Sequence, residues 1–524
     1  MRNRFALLLV FACLGWTRPG LAYSEALHAF LTGRALAADS AARSARVRPA
    51  TEQDLVDFRA LFWQTASALP DAALRAEFLA RYPDPAFFDA WAFKELFMLD
   101  PAATVHGFDR AADVARPLPR SALRQLASRW PDDDGRNRHR YLRDARRAVV
   151  RDAHGQPLPD DPATLEMGGL TGTSSQAHAH YGLLPGPLSD DPNVLRTDPR
   201  RFAVPPDAHT FGPDFAELYT DLALVARGSG LRGGDFLEQA FAGAAFHHLE
   251  DLANQIHTVQ VGIYEFFRAA FVQSELRDLV TLGGLFGERR SLRALGLRLV
   301  TNHHLLSEDL FAKRVAEAAR GEQAPPEVRA AIAGIAVGDP AFEESASAAV
   351  QRGGGAFGRA IALSLIDVSS REGPEVYRLI WRLSTPALRD GAGPEYDGAR
   401  DDPDRWVLEA GPGRAELLAS FYELEGHGLR RAGSALRLWQ RQFEAAAAGD
   451  PQAARTEAVQ RALSFLLPYH RAKEQRRAAY APPPPDRGSI DLRWSAVAVL
   501  GIGLAVFAAR LRRRRRSGGF PVGA

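Results

Sequence analysis

Histidines and acids recur in this sequence at a spacing that would let one face of a helix hold a metal. The stretch AFHHLEDLANQIH carries His247, Asp251 and His257, and a later stretch carries His304 and Glu308. Side chains four residues apart lie on the same side of an α-helix, so each His-x3-acid pair can reach one ion. A single pair of this kind also stabilises ordinary helices and does not by itself indicate a metal site.

The grouping of the histidines favours metal binding over chance. The chain has 14 histidines, and its one cysteine, Cys13, lies near the N-terminus. The histidines with a close histidine neighbour are His178, His180, His247, His248, His303 and His304. Imidazole and carboxylate are the ligands that zinc takes where no thiolate is available. The two His-x3-acid pairs, together with His257, therefore predict a metal site.

The pattern His247-x3-Asp251-x5-His257, followed by His304-x3-Glu308, resembles a known enzyme family. It is similar to that of the zinc-dependent bacterial phospholipases C and the related single-strand-specific fungal nucleases. The resemblance implies an all-α fold with a trinuclear zinc site. It covers about residues 23 to 310.

The N-terminus agrees with this resemblance. Two arginines and a short apolar run are typical of a signal peptide over residues 1–22, which would leave Tyr23 as the first residue and His28 shortly after it. In the family, the mature chain begins with a Trp whose main chain chelates a zinc, and a His follows. The resemblance implies that Tyr23 replaces that Trp, and a Tyr would keep the main-chain chelate. The alternative, a lipoprotein signal acylated at Cys13, is disfavoured because Phe11 is bulky for such a site.

The family also places a histidine before the metal helix and a carboxylate earlier still. The stretch SQAHAHYGLLP resembles the histidine motif, with His180 as the ligand and His178 as the alternative. The resemblance implies Glu166 as the carboxylate, from its approximate separation, with Asp84 as a rival. His106 is a second choice for the histidine because it lies farther from the metal helix than is usual in the family.

The resemblance implies up to three zinc ions, bridged in part by Asp251. The implied ligands are His180, His247 and the uncertain carboxylate for one ion, His257, His304 and Glu308 for a second, and the Tyr23 main chain and His28 for a third. Asp251 would bridge the first and third ions. Clustered zinc would activate a bridging water for phosphodiester hydrolysis, with Asp251 holding the bridged pair and Glu166 assisting as proton acceptor.

One departure from the family bears on geometry. The family has Pro just before the last His of the helix motif, whereas Ile256 stands here. In an unbroken helix His257 would lie about 120° around the axis from Asp251 and miss the site. The helix must therefore end near Asn254 or Gln255. We expect four neighbours to be solvated or to lie beside a ligand: His248, Glu250, Asn302 and Asp309.

Composition and periodicity predict an all-α, multi-helix bundle. The chain of 524 residues is 46% hydrophobic and 24% charged, and its apolar residues recur at helical spacing. The predicted divisions are a domain over 23–310 with a loop-rich insertion at about 101–210, a helical extension over 311–480, a Pro-rich linker over 481–491, a transmembrane helix over 492–511 and a basic tail over 512–524. The arginines after the apolar segment place the tail in the cytoplasm and the body outside.

The charge pattern bears on the substrate. The formal charge of +2 includes six arginines from Arg510 to Arg516, so the rest is mildly acidic. A basic stripe interleaved with aromatic residues would indicate nucleic-acid binding, and the sequence has none. We therefore expect a phospholipid-type phosphodiester substrate at the membrane, with single-strand nuclease activity as the alternative.

Other classes fit less well. An HD-type phosphohydrolase needs an adjacent His-Asp pair, which the sequence lacks, and a di-iron bundle needs two Glu-x-x-His motifs, of which only Glu25 to His28 fits. A non-enzyme alternative is a tethered envelope protein whose metal site is degenerate or structural. Ile256 and the long extra segments favour that alternative.

Overall fold

The fold is known from a computed structural model. It describes residues 25–37, 45–99, 117–132, 141–144, 146–152, 212–259, 292–389, 400–411 and 413–479, together with positions 155, 157–158, 180, 182 and 396. Several predicted features lie outside the described residues: the signal peptide, Tyr23, His106, Glu166, His178, the Pro-rich linker, the segment 492–511 and the basic tail.

The described part of the chain is mostly helical, which confirms the all-α prediction. Its N-terminal helices are α1 (Glu25–Ala35), α2 (Glu52–Ser67), α3 (Ala72–Arg81), α4 (Ala90–Phe97) and α5 (Arg120–Ala127). Its later helices are α6 (Gly212–Arg227), α7 (Gly234–Ala253), α8 (Leu292–Ala319), α9 (Pro326–Val337), α10 (Pro340–Arg352), α11 (Phe357–Leu383), α12 (Pro386–Arg389), α13 (Arg414–Ala447) and α14 (Pro451–Ala479).

Short 3₁₀ turns and a small strand pair complete the described elements. The 3₁₀ turns span Pro85–Phe87, Trp130–Asp132, Gln255–Thr258 and Pro403–Trp406. Strands β1 (Arg46–Val47) and β2 (Leu118–Pro119) pair antiparallel, with Val47 opposite Leu118. Within the predicted loop-rich insertion the structure describes β2, α5, one 3₁₀ turn and two isolated bridges.

Helices α6 and α7 form the centre of the bundle. The glycine-rich stretch between them ends α6 at Arg227, and Gly230 has a positive φ of 66° that favours glycine. Apart from Asp235, the side chains of α7 are buried along its whole length. Helix α7 packs against α1, α5, α6, α11 and α13. A helix that is enclosed on every side can hold polar side chains only if they find partners, so its histidines and acids must meet others inside the bundle.

Close backbone contact between α5 and α7 positions one wall of the site. A Cβ atom added at Gly243 would lie 2.4 Å from Ala127 Cβ and 2.7 Å from the Arg124 carbonyl oxygen. Only glycine therefore allows the two helices to approach this closely. Because the 3₁₀ turn Trp130–Asp132 follows α5 directly, this contact also places Asp132 beside α7.

Aromatic side chains pack α7 against the C-terminal helices. The Phe246 ring meets Trp439 of α13 edge-on at 4.9 Å between centroids, and Trp439 stacks on Phe443 at 4.7 Å. The buried Trp439 Nε1–H donates to Thr220 Oγ1 of α6 at 2.7 Å. The region over 311–480, read from the sequence as a helical extension, thus packs into the same core as α7.

In the described residues, every helix is too short or too polar to cross a membrane.

Candidate metal centre

Two side chains of α7 begin the site. His247 and Asp251 lie on one face of the helix, with His247 Nε2 3.1 Å from Asp251 Oδ2. Both side chains are fully buried. The other ring nitrogen of His247, Nδ1, lies 2.8 Å from the Ser128 carbonyl oxygen. That oxygen can only accept, so Nδ1 carries the proton and the Nε2 lone pair faces Asp251.

The structure brings His180 to the same carboxylate. His180 Nδ1 lies 2.6 Å from Asp251 Oδ2 and 2.9 Å from His247 Nε2. These three residues form a group whose ligand atoms all lie within 4.8 Å of one another, close enough to hold one metal ion. Two histidines predicted for the first metal, His180 and His247, therefore meet. Glu166, the carboxylate predicted with them, lies outside the described residues.

Asp132 is a buried carboxylate beside these histidines that the sequence did not predict. Its Oδ1 lies 3.5 Å from His247 Nε2 and 4.0 Å from His180 Nδ1, and its side chain is buried. Asp84 takes no part in the described metal groups: it is exposed and accepts the Ala86 N–H to cap a 3₁₀ turn. The only sequence signal for Asp132 is the acidic run WPDDDG, which also suits a solvent-exposed turn.

His28 reaches the other side of Asp251. Its Nε2 lies 3.4 Å from Asp251 Oδ1, and its ring is tilted by 34° to that of His247, with centroids 4.2 Å apart. His28, Asp132 and His247 form a further group that could hold a metal ion. Tyr23, the predicted main-chain ligand beside His28, lies outside the described residues.

A second cluster forms between the 3₁₀ turn that follows α7 and the side chains of α8. His257 Nε2 lies 2.8 Å from Glu308 Oε1, and His304 Nε2 lies 3.2 Å from the same oxygen. All three side chains are buried, and their ligand atoms form another group able to hold an ion. The residues predicted for the second metal are therefore neighbours in the fold.

The chain turns where the sequence requires it. Helix α7 ends at Ala253, and Asn254 has the extended backbone angles φ −72° and ψ 125°. The Asn254 side chain accepts the Ile256 N–H at 3.1 Å and donates to Glu308 Oε1 at 3.1 Å. The prediction that the helix ends near Asn254 or Gln255 is confirmed. Helix α7 ends here without the family's proline, and the Asn254 side chain caps the start of the 3₁₀ turn that follows.

Asp251 lies between the clusters. Its Oδ2 faces His180 and His247, while its Oδ1 is 3.4 Å from His28 Nε2 and 3.9 Å from His257 Nδ1. One carboxylate thus contacts or approaches histidines of every group. This arrangement allows Asp251 to bridge two ions.

The donor set fits divalent cations. In the described part of the chain, Glu250, Asp251 and Glu308 form ion pairs with histidines alone, without arginine or lysine. Asp251 Oδ1, Glu308 Oε2 and His180 Nε2 are buried and have no hydrogen-bond partner among the described residues. Buried anions are costly unless a cation compensates them. The buried clusters could therefore hold metal ions through nitrogen and oxygen ligands.

The protonation states suit ligands. Burial lowers the pKa of His247 to about 3, so its ring is neutral near neutral pH. Burial raises the pKa of Asp251, but His247, His257 and His180 outweigh burial and hold it well below its ordinary value. Glu308 follows the same balance: burial raises its pKa, and His304 and His257 lower it to about 2. Ionised Asp251 and Glu308 and neutral His247 are in the form that binds metal. Burial lowers the pKa of His257, but Asp251 and Glu308 outweigh burial and raise it, so an ion bound there would displace a proton.

Three expectations for neighbouring residues need correction or refinement. His248 is buried, with its ring stacked on Tyr219 at 5.4 Å, so the surface interpretation is wrong. Glu250 is fully buried and accepts from His28, so it lies beside a ligand and is not solvated. Asp309 is largely enclosed and accepts a hydrogen bond from Tyr396 at 2.8 Å. The side chain of Asn302 lies outside the description.

Comparison with protein-family models, with curated proteins and with solved structures finds no match to this chain. The resemblance to the zinc phospholipases C and nucleases thus stays a prediction that rests on the residues of the site.

Proposed function

We propose that this protein is a zinc-dependent hydrolase of phosphoric ester bonds, a divergent relative of the phospholipase C and single-strand nuclease superfamily. The observation that carries the proposal is the convergence on Asp251. His28, His180 and His247 surround its two oxygens, and the cluster of His257, His304 and Glu308 adjoins it. Adjacent clusters of this kind favour a polynuclear site over a lone structural ion.

The nitrogen and oxygen donors support zinc as the metal. Histidine and carboxylate ligands without thiolate are typical of catalytic zinc sites. When bound, clustered zinc ions bind phosphoryl oxygens and activate water for attack on phosphorus. In this proposal Asp132 fills the role expected of Glu166, because Asp132 lies beside His180 and His247. Asp251 holds the clusters together and stays ionised.

For the substrate, we propose a phosphodiester of the phospholipid type. The predicted export signal and C-terminal anchor would place the bundle on the outer face of a membrane, close to lipid head groups. The absence of a basic stripe in the sequence supports this choice over nucleic acid. Single-strand nuclease activity is the alternative within the same superfamily.

Hydrolysis of a chromogenic phosphodiester and of phosphatidylcholine vesicles tests the proposal. We expect zinc-dependent turnover by the full-length protein, lost in His247→Ala and in Asp251→Asn. His470→Ala is the matched control, since His470 is also buried but bonds the Leu96 carbonyl oxygen and belongs to none of the metal groups. Turnover that persists in both site variants would refute the assignment.

One observation favours a second function, a structural metal core in a tethered envelope protein. The ring of His304 is 4% exposed, and the other described ligands are at least as deeply buried. A substrate would need a route past the surrounding helices, whereas a structural ion needs none. Zinc removal that unfolds the protein, together with no turnover of any phosphoester offered, would favour this function.

A further inference from the structure

Glu250 lies next to Asp251 in the sequence but faces a different set of partners. Its side chain is fully buried, and both of its oxygens are occupied. Oε2 lies 2.7 Å from His28 Nδ1, and Oε1 accepts the Thr32 hydroxyl at 2.7 Å. His28 and Thr32 are four residues apart on α1 and so lie on one face of that helix. Glu250 therefore joins α1 to α7 through two hydrogen bonds.

These contacts decide which nitrogen of His28 faces the metal groups. Nδ1 lies within hydrogen-bond distance of Oε2, so a His28 ring protonated on Nδ1 donates to the Glu250 carboxyl group. The Nε2 lone pair then points toward Asp251 Oδ1 at 3.4 Å. Because both Glu250 oxygens have partners on α1, the carboxylate is engaged away from the metal-binding atoms.

His28 and His247 have their rings fixed in different ways. His247 Nδ1 faces a main-chain carbonyl, that of Ser128. His28 Nδ1 faces a side-chain carboxylate, which makes the opposite ring nitrogen a stronger base and a stronger metal ligand. The Thr32 hydroxyl holds that carboxylate in place from its other oxygen. A carboxylate with no partner besides the histidine would be free to rotate.

We propose that Glu250 is a positioning residue that fixes the tautomer and orientation of His28, with Thr32 as its support, so that Nε2 is presented to a metal ion beside Asp251. This inference deepens the proposed function and rests on its metal site. In this proposal Glu250 does not bind the metal itself. It acts through His28 as a positioning residue and not as a catalytic residue.

Glu250→Gln tests the proposal because it keeps the shape and removes the charge. We expect the affinity for zinc of one bound equivalent to fall about 10- to 100-fold, as measured by competition with a chromogenic chelator. Glu250→Asp should recover part of the loss. Thr32→Val should cause a smaller loss, because it leaves the His28 to Glu250 contact in place.

A metal-free measurement separates this proposal from the function. Selective ¹⁵N-histidine labelling of the full-length protein reports the tautomer of His28, whose signal is assigned by its loss in His28→Gln. Burial lowers the pKa of His28, but Asp251 and Glu250 raise it above its ordinary value, so the spectra are recorded at a pH where the ring is neutral. There we expect Nδ1–H in the parent protein and a shifted tautomer ratio in Glu250→Gln. An unchanged tautomer in Glu250→Gln, or unchanged zinc affinity in a protein that binds zinc, would overturn the proposal. A parent protein that binds no zinc would reject the proposed function, while the tautomer result would still decide the role of Glu250.

Discussion

Asn254 supports the second metal group, which consists of His257, His304 and Glu308. Its side chain caps the turn after α7 through the Ile256 N–H and also donates to Glu308 Oε1. We predict that Asn254→Ala destabilises the metal-free protein and weakens zinc binding by His257, His304 and Glu308. Binding at His180, His247 and Asp251 should be retained.

The size of the effect follows from the two lost hydrogen bonds. Loss of a capping side chain costs about 1 kcal/mol. Loss of a hydrogen bond to a charged group costs about 1.5–3 kcal/mol, and Asn254 is buried, so water cannot replace its side chain. We therefore expect a fall of about 2.5–4 kcal/mol in the free energy of unfolding.

Asn254→Ser separates the two contributions. Serine is also a good capping residue, but its side chain is too short to reach Glu308 as asparagine does. Urea denaturation with a chelator present should show Asn254→Ser more stable than Asn254→Ala by about 1 kcal/mol. If Asn254→Ala lies within about 0.5 kcal/mol of the parent protein and binds the same amount of zinc, this explanation of the turn is refuted.

Two further predictions concern charge and packing. The Glu308 pKa is lowered in the fold from 4.5 to about 2, so ionised Glu308 stabilises the fold above its unfolded pKa, and this contribution should be lost as the pH falls from 4.5 to about 2. Denaturation of the metal-free protein across that pH range measures this loss of stability. The variant Glu308→Gln should lack this part of the pH dependence. Gly243→Ala should destabilise the fold by about 1–3 kcal/mol, because the new methyl would overlap Ala127. Gly411→Ala, where a Cβ meets nothing within 4 Å, is the control and should leave the unfolding free energy unchanged.

Much of the fold followed from local patterns. Apolar residues at helical spacing predicted the helical bundle to which α6 and α7 belong, because this signal acts within a few residues along the chain. The sequence also predicted the turn near Asn254, since the spacing of Asp251 and His257 leaves no other way for both to face one site.

The parts that the sequence did not predict depend on distant packing. Asp132 lies beside His247 only because α5 meets α7 at Gly243, and nothing in an acidic run reveals that contact. Glu250 was expected to be solvated or beside a ligand, because helical spacing shows which residues share a face but not what covers that face. The structure covers it with α1, which supplies His28 and Thr32.

Elemental analysis of the purified full-length protein tests the central claim most directly. The adjoining groups around Asp251 predict zinc as the dominant metal, at about two to three ions per chain, reduced in Asp251→Asn and unchanged in His470→Ala. Less than about one zinc per chain after growth and purification with zinc present would contradict a polynuclear zinc site.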